Sequence, residues 1–135
     1  MKAKTLNIVH ADPYGRGPFC RLIVEDSAPE RPGVYSWVAD GLVSYVGEAR
    51  ELRQITQGQR MNRPYNDYTY IPASQVRRPS DPRVRVNGLL NGVLAAGGAV
   101  SWWWLETESE AKAKQLEAQL IHEWRSPWNR AYPIG

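Results

Sequence analysis

The spacing of apolar residues predicts an amphipathic helix in the second half of the chain. Asp81-Pro82 is a helix start, because aspartate caps helix N-termini and proline suits the first helical position. The apolar residues that follow recur at i, i+3, i+4, i+7 and i+8, which places them on one face: Val86, Leu89, Leu90, Val93 and Leu94. The pattern ends at Gly97-Gly98, so we predict that this helix packs one stripe against the core.

Residues 99–106 then predict a β-strand, with Trp102 and Trp104 on one face and Trp103 on the other. After it, Thr107 and Glu110 have the spacing of a capping box, which predicts the start of the last helix. The apolar face of this helix consists of Ala113, Leu116, Leu120, Ile121 and Trp124.

Glu117 lies among these apolar side chains of the last helix. A carboxylate that faces the core is costly unless a cation or hydrogen bonds satisfy it. One interpretation is a metal ligand. The other is a glutamate at the edge of the stripe, paired with an arginine.

A β-hairpin is predicted between Gly33 and Gly47, because Gly33-Val34-Tyr35 and Tyr45-Val46-Gly47 read as strands around the turn signal Asp40-Gly41. A two-residue loop would place the two tyrosines on opposite faces. A three-residue loop, Ala39-Asp40-Gly41, would pair Tyr35 directly with Tyr45. We predict the three-residue loop.

The remaining segments predict short elements around a long loop. Residues 5–9 and 20–25 read as short strands, and a helix is expected from about Ala49 to Gln57, ended by Gly58. Residues 58–80 are rich in Pro, Arg, Asn and Tyr without a clear period, which predicts a long loop.

Composition is typical of one small globular domain of 135 residues. We find neither a membrane-spanning run of apolar residues nor the apolar core of a signal peptide. The single cysteine, Cys20, excludes an intramolecular disulfide and a thiolate cluster, which favours a reducing, cytoplasmic location.

Positive charge is concentrated in the middle of the chain, although the net charge is only +3. Residues 50–85 contain eight arginines but only three acidic residues, and tyrosines 65, 68 and 70 are interleaved with the arginines. Arginine forks suit phosphate oxygens, and aromatic rings stack on bases. This block therefore predicts nucleic-acid contact, with a solvated loop as the alternative.

The hairpin sequence, with nine residues between its two tyrosines, resembles the signature of the GIY-YIG nuclease superfamily. Glu117 in the last helix and Pro127-Trp128-Asn129 after it extend the resemblance, which covers roughly residues 31–131. It implies an α+β fold in which a small central antiparallel sheet, the hairpin plus a third strand, is flanked by helices in the order β-β-α-α-β-α. Residues 31–135 would form this domain, with its long loop at 58–80, and residues 1–30 an N-terminal extension.

The resemblance implies a metal-dependent endonuclease that hydrolyses DNA phosphodiester bonds. Glu117 would be the protein ligand of Mg²⁺, with Mn²⁺ as a substitute. One of Tyr35 and Tyr45 would orient or deprotonate the attacking water, and Asn129 would fix the geometry of the site by hydrogen bonds. The alternative is a non-catalytic nucleic-acid-binding module that has kept the fold.

Two positions depart from the family's pattern. Ile55 stands where most members carry an arginine on the first helix, so Arg53 and Arg60 are our candidates for the catalytic arginine. Glu48 follows the second motif glycine; it could lie near the metal or begin the first helix, and we favour the helix start.

The substrate is expected to be double-stranded or branched DNA, cut by a monomer or a homodimer. The candidate DNA-binding side chains are those of the basic block: Arg50, Arg60, Arg63, Tyr65, Tyr68, Arg77, Arg78, Arg83 and Arg85.

Overall fold

The computed structural model describes residues 2–10, 19–24, 28–56 and 82–129. The strands are β1 (Lys2–His10), β2 (Arg21–Val24), β3 (Gly33–Ala39), β4 (Leu42–Ala49) and β5 (Val100–Glu106). The helices are α1 (Leu52–Thr56), α2 (Pro82–Ala95) and α3 (Glu110–Trp124). The predicted loop at 58–80 lies outside the described residues, and so do six of the candidate DNA-binding side chains: Arg60, Arg63, Tyr65, Tyr68, Arg77 and Arg78. The side chain of Arg83 is likewise not described.

The strands form one antiparallel sheet in the order β2-β1-β5-β3-β4. Its centre is the hairpin β3–β4 with β5 beside β3, so the predicted α+β fold with a hairpin plus a third strand is confirmed. The two strands predicted near the N-terminus are also present, and β1 extends the sheet by pairing with β5 from Lys2↔Trp104 to Thr5↔Ser101.

The hairpin loop is shorter than predicted, because a two-residue turn connects the paired residues Ala39 and Leu42. Asp40 and Gly41 both have positive φ, 50° and 82°, as a tight type I′ turn requires. The Asp40 N–H donates to the Ala99 carbonyl, and its carboxylate accepts from the Ala99 N–H, both at 2.8 Å, which holds aspartate in this conformation.

A β-bulge places both tyrosines on one face of the sheet, although the hairpin has a two-residue turn. Trp37 pairs with Tyr45 but Val38 pairs with Val43, so Ser44 is an extra residue in β4. Tyr35 therefore lies opposite Gly47 rather than opposite Tyr45. Both tyrosines still share one face, because the bulge reverses the alternation once.

Helices cover the sheet on both faces. On the face of Trp37 and Trp102, a buried cluster includes Leu52 and Ile55 of α1 and Val86 and Leu90 of α2. Of the predicted α2 stripe, Val93 and Leu94 are half-buried and Leu89 is 37% exposed, so the buried stripe is narrower than the spacing suggested.

The opposite face is covered by α3, which packs against β3 and β4. Val34 and Val46 are fully buried there, and the helix buries Ala113 and Ile121. This places the helix that carries Glu117 beside the edge strand β4, which contains Tyr45.

Two helix starts differ from the prediction. Ser109 rather than Thr107 caps α3, since its Oγ accepts from the Lys112 N–H at 3.1 Å. Thr107 instead extends the pairing of β5 with the chain before β3, because its N–H donates to the Pro32 carbonyl at 2.8 Å. Ala49 still belongs to β4, and α1 begins only at Leu52, whose N–H donates to the Arg31 carbonyl at 2.8 Å.

A buried amide ties the N-terminal segment to α2. The side chain of Asn87 accepts from the Cys20 N–H at 2.8 Å and donates to the Cys20 carbonyl at 3.0 Å. The thiol is fully buried, and burial raises the pKa of Cys20 to about 12. Within the described residues, no helix has the length and apolar composition needed to cross a bilayer.

Candidate active site

The two motif tyrosines lie side by side on the sheet. Their ring centroids are 6.4 Å apart, and the Tyr35 ring is 5.9 Å from that of Trp102, which lies diagonally across from it on β5. Gly47 lies beneath the Tyr35 ring: a Cβ built there would meet the ring at 2.6 Å. The glycine of the second motif therefore provides room for the phenol of the first.

Replacing Gly47 by alanine is expected to displace Tyr35 and to destabilise the protein by about 1–3 kcal/mol, because a methyl group would overpack the site. The matched control is Gly92→Ala in α2, where, apart from the adjacent helix backbone, no atom of the described residues lies within 4 Å of the added methyl group. Alanine there should stabilise by about 0.5–1 kcal/mol through helix propensity. Urea unfolding of both variants tests this, and equal stability of the two would contradict the packing argument.

Glu117 lies next to the backbone and side chain of Glu48. Its carboxylate accepts a hydrogen bond from the Glu48 N–H, and Lys114 lies close enough to act on it electrostatically. Burial, followed by the charge of Glu48, nevertheless raises the pKa of Glu117 above its usual value. Two carboxylates thus share a partly buried position beside β4.

The prediction that Glu48 begins the first helix is wrong. It lies inside β4 opposite Val34, and α1 starts four residues later. Its Oε2 is buried and has no hydrogen-bond partner among the described residues. A buried carboxylate oxygen without a partner is costly, so it indicates a site that a cation would complete.

The donor set fits a hard divalent cation with few protein ligands. Within the described part of the chain, no group of three or more His, Cys, Asp and Glu side chains could hold a metal. Mg²⁺ is commonly bound through one or two carboxylates while it keeps several waters. The oxygens of Glu48 and Glu117 match that pattern.

The pKa of Tyr45 depends on burial and on two nearby charges. Burial raises its pKa, the charge of Glu117 raises it further, and the charge of Arg85 lowers it. Tyr45 is therefore influenced by two opposite charges, an anion from α3 and a cation from α2. The sequence alone does not indicate that Arg85 acts on Tyr45, because the two residues are forty positions apart along the chain.

Asn129 pairs with β4 in the manner of a neighbouring strand. Its side-chain amide donates to the Val46 carbonyl at 2.9 Å and accepts from the Val46 N–H at 3.0 Å. The Trp128 N–H donates to the Ser44 carbonyl at 2.8 Å. These bonds hold the backbone on both sides of Tyr45, so Asn129 fixes the backbone that carries this tyrosine.

Asn129→Ala is expected to cost about 2–4 kcal/mol, because both backbone groups of the fully buried Val46 would lose their partner. The matched control is Asn91→Ala in α2. The buried Oδ1 of Asn91 has no hydrogen-bond partner among the described residues, so this variant should be within about 1 kcal/mol of wild type. Chemical unfolding measures both, and a similar loss in the two variants would contradict the role given to Asn129.

The predicted catalytic arginines are not brought to this site by the described residues. Arg53 forms an ion pair with Glu30, before β3, and Ile55 is buried in the core cluster. Arg60 lies outside the described residues. Arg50 is exposed and lies 3.5 Å from Glu110 at the start of α3.

Comparisons with known proteins identify the family of the chain. A family model described as GIY-YIG domain-containing protein matches residues 26–133. The chain is similar to the GIY-YIG N-terminal endonuclease domain of UvrC from Thermotoga maritima bound to magnesium, with 25% identity, a TM-score of 0.46, and coverage of 76% of this chain and 86% of that chain.

It is also similar in fold to a point mutant of EndoII from bacteriophage T4, with 17% identity, a TM-score of 0.54, and coverage of 79% of this chain and 81% of that chain. Among curated proteins, no sequence matches the chain significantly. Since the family model covers well over half of the residues, the chain belongs to the GIY-YIG domain family.

Proposed function

We propose that the protein is a metal-dependent endonuclease that hydrolyses DNA phosphodiester bonds. The observation that carries this proposal is the position of Tyr45: its phenol lies under the electrostatic influence of Glu117, whose carboxylate is paired with Glu48. A phenol and two carboxylates suit the binding of a cation and a water next to a phosphate.

Glu117 and Glu48 would hold the cation, Mg²⁺ or Mn²⁺. When bound, the ion supplies Lewis-acid stabilisation of charge on the phosphate and on the leaving oxygen. The Glu117 carboxylate must be ionised to bind it, and the charge of Glu48 opposes this in the metal-free protein. A bound cation would relieve this repulsion.

Tyr45 orients the attacking water and, when ionised to the phenolate, accepts its proton, while Tyr35 holds the water or the phosphate from the neighbouring strand. Asn129 keeps Tyr45 in place through the backbone of Val46. Burial raises the pKa of Tyr45, so proton transfer to it depends on the surrounding positive charge.

The DNA-binding set proposed from the sequence consists of arginines and tyrosines of the basic block: Arg50, Arg60, Arg63, Tyr65, Tyr68, Arg77, Arg78, Arg83 and Arg85. Long arginine side chains suit the backbone of double-stranded or branched DNA, and their contribution would weaken with salt. We propose that residues 31–135 form the nuclease domain, acting as a monomer or a homodimer, with residues 1–30 as an extension. A single buried cysteine suits the reducing cytoplasm.

A second candidate is a non-catalytic DNA-binding module. It is favoured by Ile55, because this buried residue occupies the position at which most family members carry an arginine. Such a module would have no use for a buried Glu48 oxygen that has no partner among the described residues and lies beside Glu117.

Nicking of supercoiled plasmid and of branched oligonucleotides tests the proposal. Wild-type protein should cut with Mg²⁺ or Mn²⁺ and not with EDTA. A mobility-shift assay on the same substrates is the companion measurement. DNA binding without cutting in either metal would support the second candidate and contradict the first.

A further inference from the structure

The proposed site contains more negative charge than its described cations balance. Glu48 and Glu117 are both acidic, and the phosphodiester substrate is an anion. Lys114 acts on Glu117, but it is 62% exposed and lies 3.6 Å from Glu110, one turn away. Arg50 also contacts Glu110, and Arg53 pairs with Glu30. A phosphate would therefore need a further positive charge close to Tyr45.

Arg85 is the described cation whose charge acts on Tyr45. It is half-buried in the first turn of α2, a helix that packs on the same sheet face as the tyrosines. The position of the guanidinium is fixed by a hydrogen bond, because its Nη1 donates to the Trp128 carbonyl. Trp128 is itself bonded to Ser44 and packs against the core cluster.

These contacts place the guanidinium beside the edge of β4, where Tyr45 is held. A guanidinium is a planar fork of N–H donors whose geometry matches that of phosphate oxygens. A group held in this way is preorganised, so it can meet a phosphate oxygen without first losing side-chain freedom.

We propose that Arg85 is a catalytic residue that contacts the scissile phosphate and stabilises the charge that develops on it. In this chain, α2 would thus provide the positive charge that Ile55, buried in α1, does not. The assignment rests on the proposed nuclease function, and it adds to that function a residue from a different helix.

The test compares single-turnover cleavage by wild type, Arg85→Gln, Arg85→Lys and Arg85→Ala with enzyme in excess over DNA. Arg85→Gln keeps a side-chain donor for the Trp128 carbonyl but removes the charge, so the cleavage rate should fall about 10²–10³-fold. Arg85→Lys should be intermediate, because it restores a point charge without the fork. Free guanidinium, below concentrations that unfold the protein, should restore part of the activity of Arg85→Ala.

The matched control is Arg21→Ala, an exposed arginine on β2 at the far edge of the sheet, which should cleave as wild type does. If wild type cleaves and Arg85→Gln cleaves within about threefold of it, the Arg85 assignment is overturned and the nuclease function stands. A loss that neither lysine nor guanidinium relieves, together with a lowered melting temperature, also overturns it in favour of a structural role. If wild type itself does not cleave, the proposed function fails and this assignment fails with it.

Discussion

Glu117→Gln is expected to lower the rate of DNA cleavage by at least about 10³-fold while leaving the fold intact. Glutamine has nearly the shape of glutamate but cannot provide the charged oxygen that a divalent cation needs. Loss of a metal's contribution removes several kcal/mol of transition-state stabilisation, and each 1.36 kcal/mol is about tenfold in rate. The control is Glu123→Gln, an exposed position on the same helix, which should cleave at the wild-type rate.

The same substitution is expected to stabilise the metal-free protein at neutral pH. Burial, followed by the charge of Glu48, raises the pKa of Glu117 in the folded protein. A raised folded-state pKa means that its contribution to stability is present at low pH and is lost as the pH rises through that pKa. Wild type without metal should therefore lose stability as the pH rises from the ordinary pKa of a glutamate through the raised pKa of Glu117, and Glu117→Gln should not. Added Mg²⁺ should reverse the loss only in wild type.

Thermal unfolding of both proteins between about pH 4 and pH 8, with EDTA and with Mg²⁺, measures this difference. Lower stability of metal-free Glu117→Gln than of wild type at neutral pH would mean that Glu117 makes a favourable contact that the carboxylate pair does not explain. Cleavage by Glu117→Gln at the rate of wild type would remove Glu117 from the site altogether.

Tyr45→Phe is expected to reduce cleavage by about 10²–10⁴-fold, the range of a lost general base. The substitution removes only the hydroxyl, so the packing of the ring beside the core should persist. Because burial, and after it Glu117, raises the pKa of Tyr45, the phenol is protonated at neutral pH. The wild-type rate should accordingly rise towards alkaline pH, and this rise should be absent in Tyr45→Phe.

Tyr35→Phe is the matched comparison, since the Tyr35 ring contacts Gly47 and Trp102 and shares the sheet face. We expect a smaller loss with the pH dependence retained. The assignment of the two roles would be contradicted if Tyr35→Phe abolished the pH dependence and Tyr45→Phe kept it.

The sequence predicted the fold well where local patterns determine it. Alternation in residues 99–106, the Asp81-Pro82 start and the Asp40-Gly41 turn each express a backbone preference, and β5, α2 and the hairpin follow them. The predicted loop length was wrong because the Ser44 bulge depends on neighbours outside β4. Trp128 contacts the Ser44 carbonyl from more than eighty positions away.

The candidate site was predictable only in part, for a related reason. The tyrosines, Glu117 and Asn129 could be named because the family motif marks them. Glu48 was misinterpreted because its position at the end of β4 resembles a helix start, and only the packing of α3 brings Glu117 next to it. Arg85 was expected to bind DNA with the rest of the basic block, since no local pattern distinguishes it.

Measuring metal occupancy and cleavage in the same Mn²⁺ titration tests the central claim most directly. Electron paramagnetic resonance gives bound Mn²⁺, and plasmid nicking in the same samples gives the rate. We predict that the wild-type rate rises in proportion to occupancy of one site, and that Glu117→Gln shows neither binding at that site nor cleavage. Cleavage in EDTA, or a rate that rises in Glu117→Gln as it does in wild type, would contradict a metal-dependent nuclease centred on Glu117.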